Sequence, residues 1–197
     1  MAWRVAAGTL RGARDENQDA YAVVADGIGV FDGVAGAPNG RAAAQAAAAG
    51  FPKAVTQADP LATLDRVVRP TGGATTAVVA RLGASVRLWS VGDSCAFIVD
   101  GSAEPVTPLD RAGRILTQCL GRPFRGHAAS IRVAPGQRLL LCTDGVSDVV
   151  CAETLVDCIV DDLEASVERI LTAVEAAGAP DNATAVLAAP TLDAAKP

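Results

Sequence analysis

Hydrophobic positions along the chain fall into short runs broken by glycine, proline and aspartate, with a few longer stretches of helical spacing between them. Trp3 to Leu10 reads as a strand. Tyr21 to Ala25 and Ile28 to Phe31 read as a hairpin around Asp26-Gly27, a favoured two-residue turn. Alanine-rich Gly40 to Gly50 reads as a helix that ends before Pro52. Leu61 to Val68 reads as a short helix stopped by Pro70. Ala74 to Arg81 and Ser85 to Val91 form a second predicted hairpin, turning at Leu82-Gly83-Ala84. Cys95 to Val99 continues the sheet, with Asp100-Gly101 as its turn. Arg111 to Leu120 has helical spacing. Arg138 to Cys142 reads as a buried strand after a Pro135-Gly136 turn, Glu153 to Ala177 as one or two amphipathic helices, and Ala183 to Ala188 as the last strand. No linker or repeat divides the chain, so a single domain over 1–197 is expected. Hairpins followed by helices predict an α+β fold, with antiparallel sheets covered by helices.

Three of the apolar runs end on an aspartate. Leu139 to Cys142 stops on Thr143-Asp144-Gly145, Gly29 to Phe31 on Asp32-Gly33, and Leu88 to Val91 on Gly92-Asp93-Ser94. Propensity does not ask for this, since Asp and Gly are depleted from strands. Asp19 and Asp181-Asn182 lie near similar strands. The pattern predicts carboxylates gathered at one rim, and gathered carboxylates need positive charge between them. Hard divalent cations are the usual partner.

Composition narrows the class further. Half the residues are hydrophobic, so the 197-residue chain can bury a sizeable core. The net charge of -5 and the lack of a basic run argue against nucleic-acid binding. No apolar stretch reaches the roughly 18 residues of a membrane span. The N-terminus has no basic segment followed by an apolar one, so a cytoplasmic location is expected. The five cysteines are an odd number with no CxxC pair, which fits reduced core thiols.

In chain order the marked segments are Arg14-Asp15-Glu16-Asn17-Gln18-Asp19, Val30-Phe31-Asp32-Gly33-Val34-Ala35-Gly36, Gly72-Gly73-Ala74-Thr75-Thr76, Val91-Gly92-Asp93-Ser94, Cys142-Thr143-Asp144-Gly145 and Asp181-Asn182-Ala183-Thr184. Any one of them is weak. Together, from about Gly8 to Ala189, they resemble the metal-dependent protein phosphatases of the protein phosphatase 2C (PPM) family, in a compact bacterial form. The resemblance implies two packed antiparallel β-sheets flanked by helices, an α-β-β-α sandwich, with two Mn²⁺ or Mg²⁺ ions at one end. By the same resemblance Asp32 bridges the two ions, the Gly33 carbonyl binds the second, and Asp144 and Asp181 bind the first. Asp19 matches a carboxylate that holds metal-bound water, and Asp93 one that helps bind a third, weaker ion. Arg14 stands where the family places its phosphate-binding arginine. The implied activity is hydrolysis of phosphoserine or phosphothreonine in proteins by a metal-bridging hydroxide. The expected partner is a phosphorylated protein, with no nucleic acid or membrane, and the expected state is a monomer. Two alternatives stand beside this: a non-catalytic relative that binds a phosphoprotein or regulator, and a phosphatase of small phosphoesters.

The residue types suit that chemistry independently. Oxygen donors select Mg²⁺ and Mn²⁺, whereas thiolate or imidazole would suit zinc. A guanidinium grips two phosphate oxygens in a fork that lysine lacks. Asn182 is a candidate to steady Asp181. Asp148 reads either as a support to the cluster or as the cap of the following helix. Gly72 and Gly73 read as close-packing positions, and His127, the lone histidine, as a structural or surface residue. The resemblance has departures. Cys95 follows Gly-Asp-Ser where the family often has arginine, and Ala35 replaces the first of two usual glycines. The segment from Ser94 to Thr143, which holds the family's flap beside the active site, is short.

Overall fold

The computed structural model describes residues 2–191. Its elements are β1 (Trp3–Leu10), β2 (Asp19–Val24), β3 (Gly27–Asp32), α1 (Gly40–Ala54), α2 (Pro60–Val68), β4 (Ala77–Arg81), β5 (Val86–Val91), β6 (Cys95–Val99), β7 (Ala103–Pro105), β8 (Arg111–Ala112), β9 (Ile115–Leu116), β10 (His127–Ile131), β11 (Arg138–Cys142), α3 (Asp144–Ser147), α4 (Ala152–Cys158), α5 (Leu163–Ala176) and β12 (Ala183–Pro190). One antiparallel sheet has the order β1-β12-β11-β6-β7 and the other β10-β5-β4-β3-β2, while β8 and β9 form a separate small hairpin.

Strand alternation explains why these sheets stack as layers. On β11, Leu139 and Leu141 face the second sheet, where they meet Ile28, Val30, Val78 and Leu88. Their neighbours Leu140 and Cys142 point the other way, into a cluster with Leu155, Val167 and Ile170 of α4 and α5. On the second sheet, Phe31, Val79 and Trp89 face α1 and α2, against Phe51 and Leu64. Both faces of each sheet are covered over its central strands. The central strands β3, β4, β11 and β12 are therefore buried almost throughout rather than alternating, whereas the edge strand β2 alternates. The result is helices, sheet, sheet, helices, the α+β sandwich expected.

Four local expectations need correction. The β2–β3 turn is made by Ala25-Asp26, and Gly27 is already in β3, paired with Val24. A Cβ on Gly27 would lie 2.7 Å from Val55 Cγ2 and 3.1 Å from Phe51, so this glycine serves packing under α1. Helix α1 runs through Pro52 to Ala54. An interior proline costs about 3 kcal/mol, but Phe51, Ala54 and Val55 are fully buried and Phe51 stacks edge-on to Phe31. That burial outweighs the proline. The segment Arg111 to Leu120 is not helical. It forms the β8–β9 hairpin, and Leu120 then exchanges backbone hydrogen bonds with Thr75. These long-range bonds engage backbone groups a helix would have used. Finally, β10, which pairs with β5, and β7 were not legible as strands.

Candidate active site

The turn at Ala25-Asp26 sets a register in which Asp19 and Asp32 stand directly opposite each other across β2 and β3. Like charges in that relation repel. Three more carboxylates reach the same rim. Asp93 sits in the turn between β5 and β6, Asp144 opens α3 at the end of β11, and Asp181 lies just before β12. Asp32, Asp93, Asp144 and Asp181 line one cleft of about 890 Å³, together with Arg14, Gly33, Arg111, Asp148 and Asn182.

Asp19 lies behind this rim and is buried. Its Oδ2 accepts hydrogen bonds from Thr143 Oγ1 at 2.9 Å and Thr184 Oγ1 at 2.7 Å. Its Oδ1 is buried and accepts none among the described residues. Burial pushes the carboxyl from 3.8 to about 6, although the two threonines pull it down and Asp144 and Asp181 add to the rise.

Burial also holds Asp32 well above the usual carboxylate range, reinforced by Asp19 and Asp144. Asp144 is raised as well, by burial first, with Asp181 and Asp148 adding to the rise. Asp93 is raised to about 6, by burial first and then by Asp144, against the opposing pull of its own backbone N–H and Arg111. Among the described residues, no three His, Cys, Asp or Glu side chains converge on one closed ligand shell. Two guanidiniums stand among the carboxylates. Arg14 Nη2 donates to Asp181 Oδ2 at 2.5 Å, and Arg111 Nη1 to Asp148 Oδ2 at 2.7 Å. The donor set is all oxygen, with an orphaned carboxylate oxygen at Asp19. It fits hard divalent cations.

Close backbone approaches shape the rim. A Cβ on Gly33 would lie 2.5 Å from the Gly40 carbonyl, and one on Gly145 would lie 1.9 Å from the Asn182 carbonyl oxygen. Only glycine fits either place. Asn182 does more than steady its neighbour. Its backbone N–H donates to Asp181 Oδ1 at 2.8 Å. Its side chain accepts from the Gln18 N–H and donates to the carbonyls of Arg11 and Glu16 at 2.7 and 2.9 Å. It thereby ties down the loop that carries Arg14.

Every sequence-selected residue, Arg14, Asp19, Asp32, Gly33, Asp93, Asp144 and Asp181, lies at this rim or directly behind it. Asp148 caps no following helix, since Cys151 occupies that position before α4; its carboxylate faces Arg111. Gly73 is a packing position, because a Cβ there would lie 2.4 Å from the Asn39 carbonyl oxygen. His127 Nε2 pairs with Asp110 Oδ1 at 2.8 Å, a structural contact. Four cysteines are buried and Cys151 is exposed; none is in a disulfide. Sequence reading missed Arg111, because a helix was expected there. It also passed over Thr143 and Thr184, whose signal was their place beside Asp144 and Asn182.

Comparison with known proteins agrees with this geometry. Residues 17–190 match the family model described as Stage II sporulation protein E (SpoIIE). The chain belongs to that family, and its fold is that of the PPM serine/threonine phosphatases. The serine/threonine protein phosphatase PstP of Mycobacterium tuberculosis is 28% identical over 94% of this chain and 44% of its own length. The chain thus spans about half of that relative. The crystal structure of the PstP catalytic domain, in complex with two manganese ions, superposes with a TM-score of 0.83 at 27% identity, covering 95% of this chain and 98% of that one. The PPM Ser-Thr phosphatase MsPP of Mycobacterium smegmatis shares the fold, with a TM-score of 0.82 at 23% identity over 95% and 98% of the two chains.

Proposed function

We propose that this chain is a metal-dependent phosphatase domain that hydrolyses phosphoserine and phosphothreonine in proteins. The observation that carries the reading is the convergence of Asp32, Asp93, Asp144 and Asp181 on one cleft, with the buried Oδ1 of Asp19, unpaired among the described residues, behind it. Mn²⁺ or Mg²⁺, when bound, supplies an activated water and charge stabilisation for in-line attack on phosphorus. Asp32, Asp144, Asp181 and the Gly33 carbonyl are the groups that would hold it. Asp19 holds a proton acceptor at the back of the site, oriented through Oδ2 by Thr143 and Thr184. Arg14, at the open side, grips the phosphate with its guanidinium fork. Arg14, which lines the cleft, is 46% exposed, so the cleft is open to solvent.

A phosphatase assay with and without Mn²⁺, on a phosphopeptide and on a small aryl phosphate, tests this. Mn²⁺-dependent turnover of the phosphopeptide is the expected result. Turnover of the aryl phosphate alone would assign the site to small phosphoesters. No turnover of either would mark a binding relative without catalysis.

A further inference from the structure

We propose that Arg111 is the resident counter-ion of the cleft: it neutralises the Asp93–Asp148 corner, so that divalent cations are confined to the side formed by Asp32, Asp144 and Asp181. This rests on reading the cleft as a divalent-cation site. Arg111 Nη1 donates to Asp148 Oδ2 at 2.7 Å, and the arginine side chain is only 25% exposed. Its charge acts on Asp93 and Asp144 as well as on Asp148. All four residues line the same cleft.

The placement of Arg111 is built into the fold. It opens the β8–β9 hairpin, and the preceding residue, Asp110, is buried and locked on every side. The Asp110 N–H donates to the Gly92 carbonyl at 2.8 Å, and Asp110 Oδ2 accepts from the Gly92 N–H at 3.0 Å. Gly92 immediately precedes Asp93. Asp110 Oδ1 accepts from Gln118 Nε2 at 2.7 Å and pairs with His127 Nε2 at 2.8 Å. The Thr117 N–H closes the hairpin base on the Asp110 carbonyl at 2.8 Å. The turn that carries Asp93 and the hairpin that carries Arg111 are therefore one rigid unit.

A guanidinium in this corner places a positive charge beside the carboxylates and occupies Asp148 Oδ2, an oxygen that an incoming ion would need. An ion entering there must break a charge-assisted bond and then face the displaced arginine. Without the arginine charge, Asp93, Asp144 and Asp148 would present oxygen donors with no compensating cation.

The test is a count of bound Mn²⁺ on the purified full chain at neutral pH, by titration calorimetry and by the electron paramagnetic resonance signal of free Mn²⁺. The wild type should bind two ions. Arg111→Gln should gain a third, weaker ion. Arg111→Gln combined with Asp148→Asn should return to two, and Arg111→Lys should stay at two. A third ion in the wild type overturns the proposal, as does an unchanged count in folded Arg111→Gln. Should that variant fail to fold, the wild-type count still decides. A wild type that takes up no Mn²⁺ would instead reject the cation reading on which the proposal rests.

Discussion

The Arg14 guanidinium and the Asp181 carboxylate, 167 residues apart in the chain, meet at 2.5 Å between Nη2 and Oδ2. Both side chains are more than a third exposed, so the pair adds little to stability. Its significance is positional. The candidate phosphate-binding arginine is held beside a candidate cation ligand by the loop that Asn182 anchors.

Arg14→Ala should lower kcat/KM on a phosphopeptide about ten- to a hundredfold, because charged hydrogen bonds of this kind are worth roughly 1.5–3 kcal/mol. Arg14→Lys should recover part of the loss, since lysine keeps the charge without the fork. The melting temperature and Mn²⁺ uptake should stay near wild type. Unchanged kinetics in both variants would reject the phosphate-binding role.

Asn182→Ala removes three partly buried hydrogen bonds that hold the Arg11–Gln18 loop. A cost of about 1–3 kcal/mol in stability is expected, with a fall in kcat/KM comparable to that of Arg14→Ala. Asn182→Asp should not rescue it, because a carboxylate cannot donate to the carbonyls of Arg11 and Glu16. Thermal melts together with steady-state kinetics check both parts; wild-type kcat/KM in Asn182→Ala would show that the loop does not need this anchor.

Asp32→Ala and Asp144→Ala should each abolish Mn²⁺-dependent turnover while leaving a folded protein. Removing one carboxylate relieves burial and repulsion at the rim. The metal-free variants should therefore melt no lower than the wild type, a reversal of the usual effect of substitution. Near wild-type turnover in either variant would sink the assignment.

The same carboxylates set a pH dependence. Asp19 and Asp93 rise from 3.8 to about 6 in the fold, each by burial first. Between those values the folded state binds more protons than the unfolded chain, so its stability falls as pH rises. The contribution is complete below 3.8 and is lost as pH passes about 6. The chelator-treated protein should accordingly melt higher at about pH 5 than at about pH 7. With saturating Mn²⁺ the order should reverse, since cations bind the deprotonated carboxylates. Melting curves at both pH values, with chelator and with Mn²⁺, decide it; the same slope under both conditions would contradict the argument.

Much of this molecule was legible in its sequence, because short-range rules governed those parts. Apolar runs predicted β1, β6 and β11 with their ends, and helical spacing predicted α2 and the α4–α5 pair. Aspartates placed at strand ends pointed to one rim, since a strand end is where a side chain leaves the layered core. Long-range contacts decided the rest. Burial of Phe51 against Phe31 carried α1 through Pro52, which local propensity forbids. Hydrogen bonds that the Asp110 carboxylate accepts from Gly92 and Gln118, its pairing with His127 and the Thr75–Leu120 bridge turned a helical-looking segment into the hairpin that delivers Arg111. The sequence by itself determined which carboxylates the chain brings to its sheet ends. Only the tertiary structure decided where guanidiniums stand among them, because Arg14 and Arg111 reach Asp181 and Asp148 across 167 and 37 residues of chain.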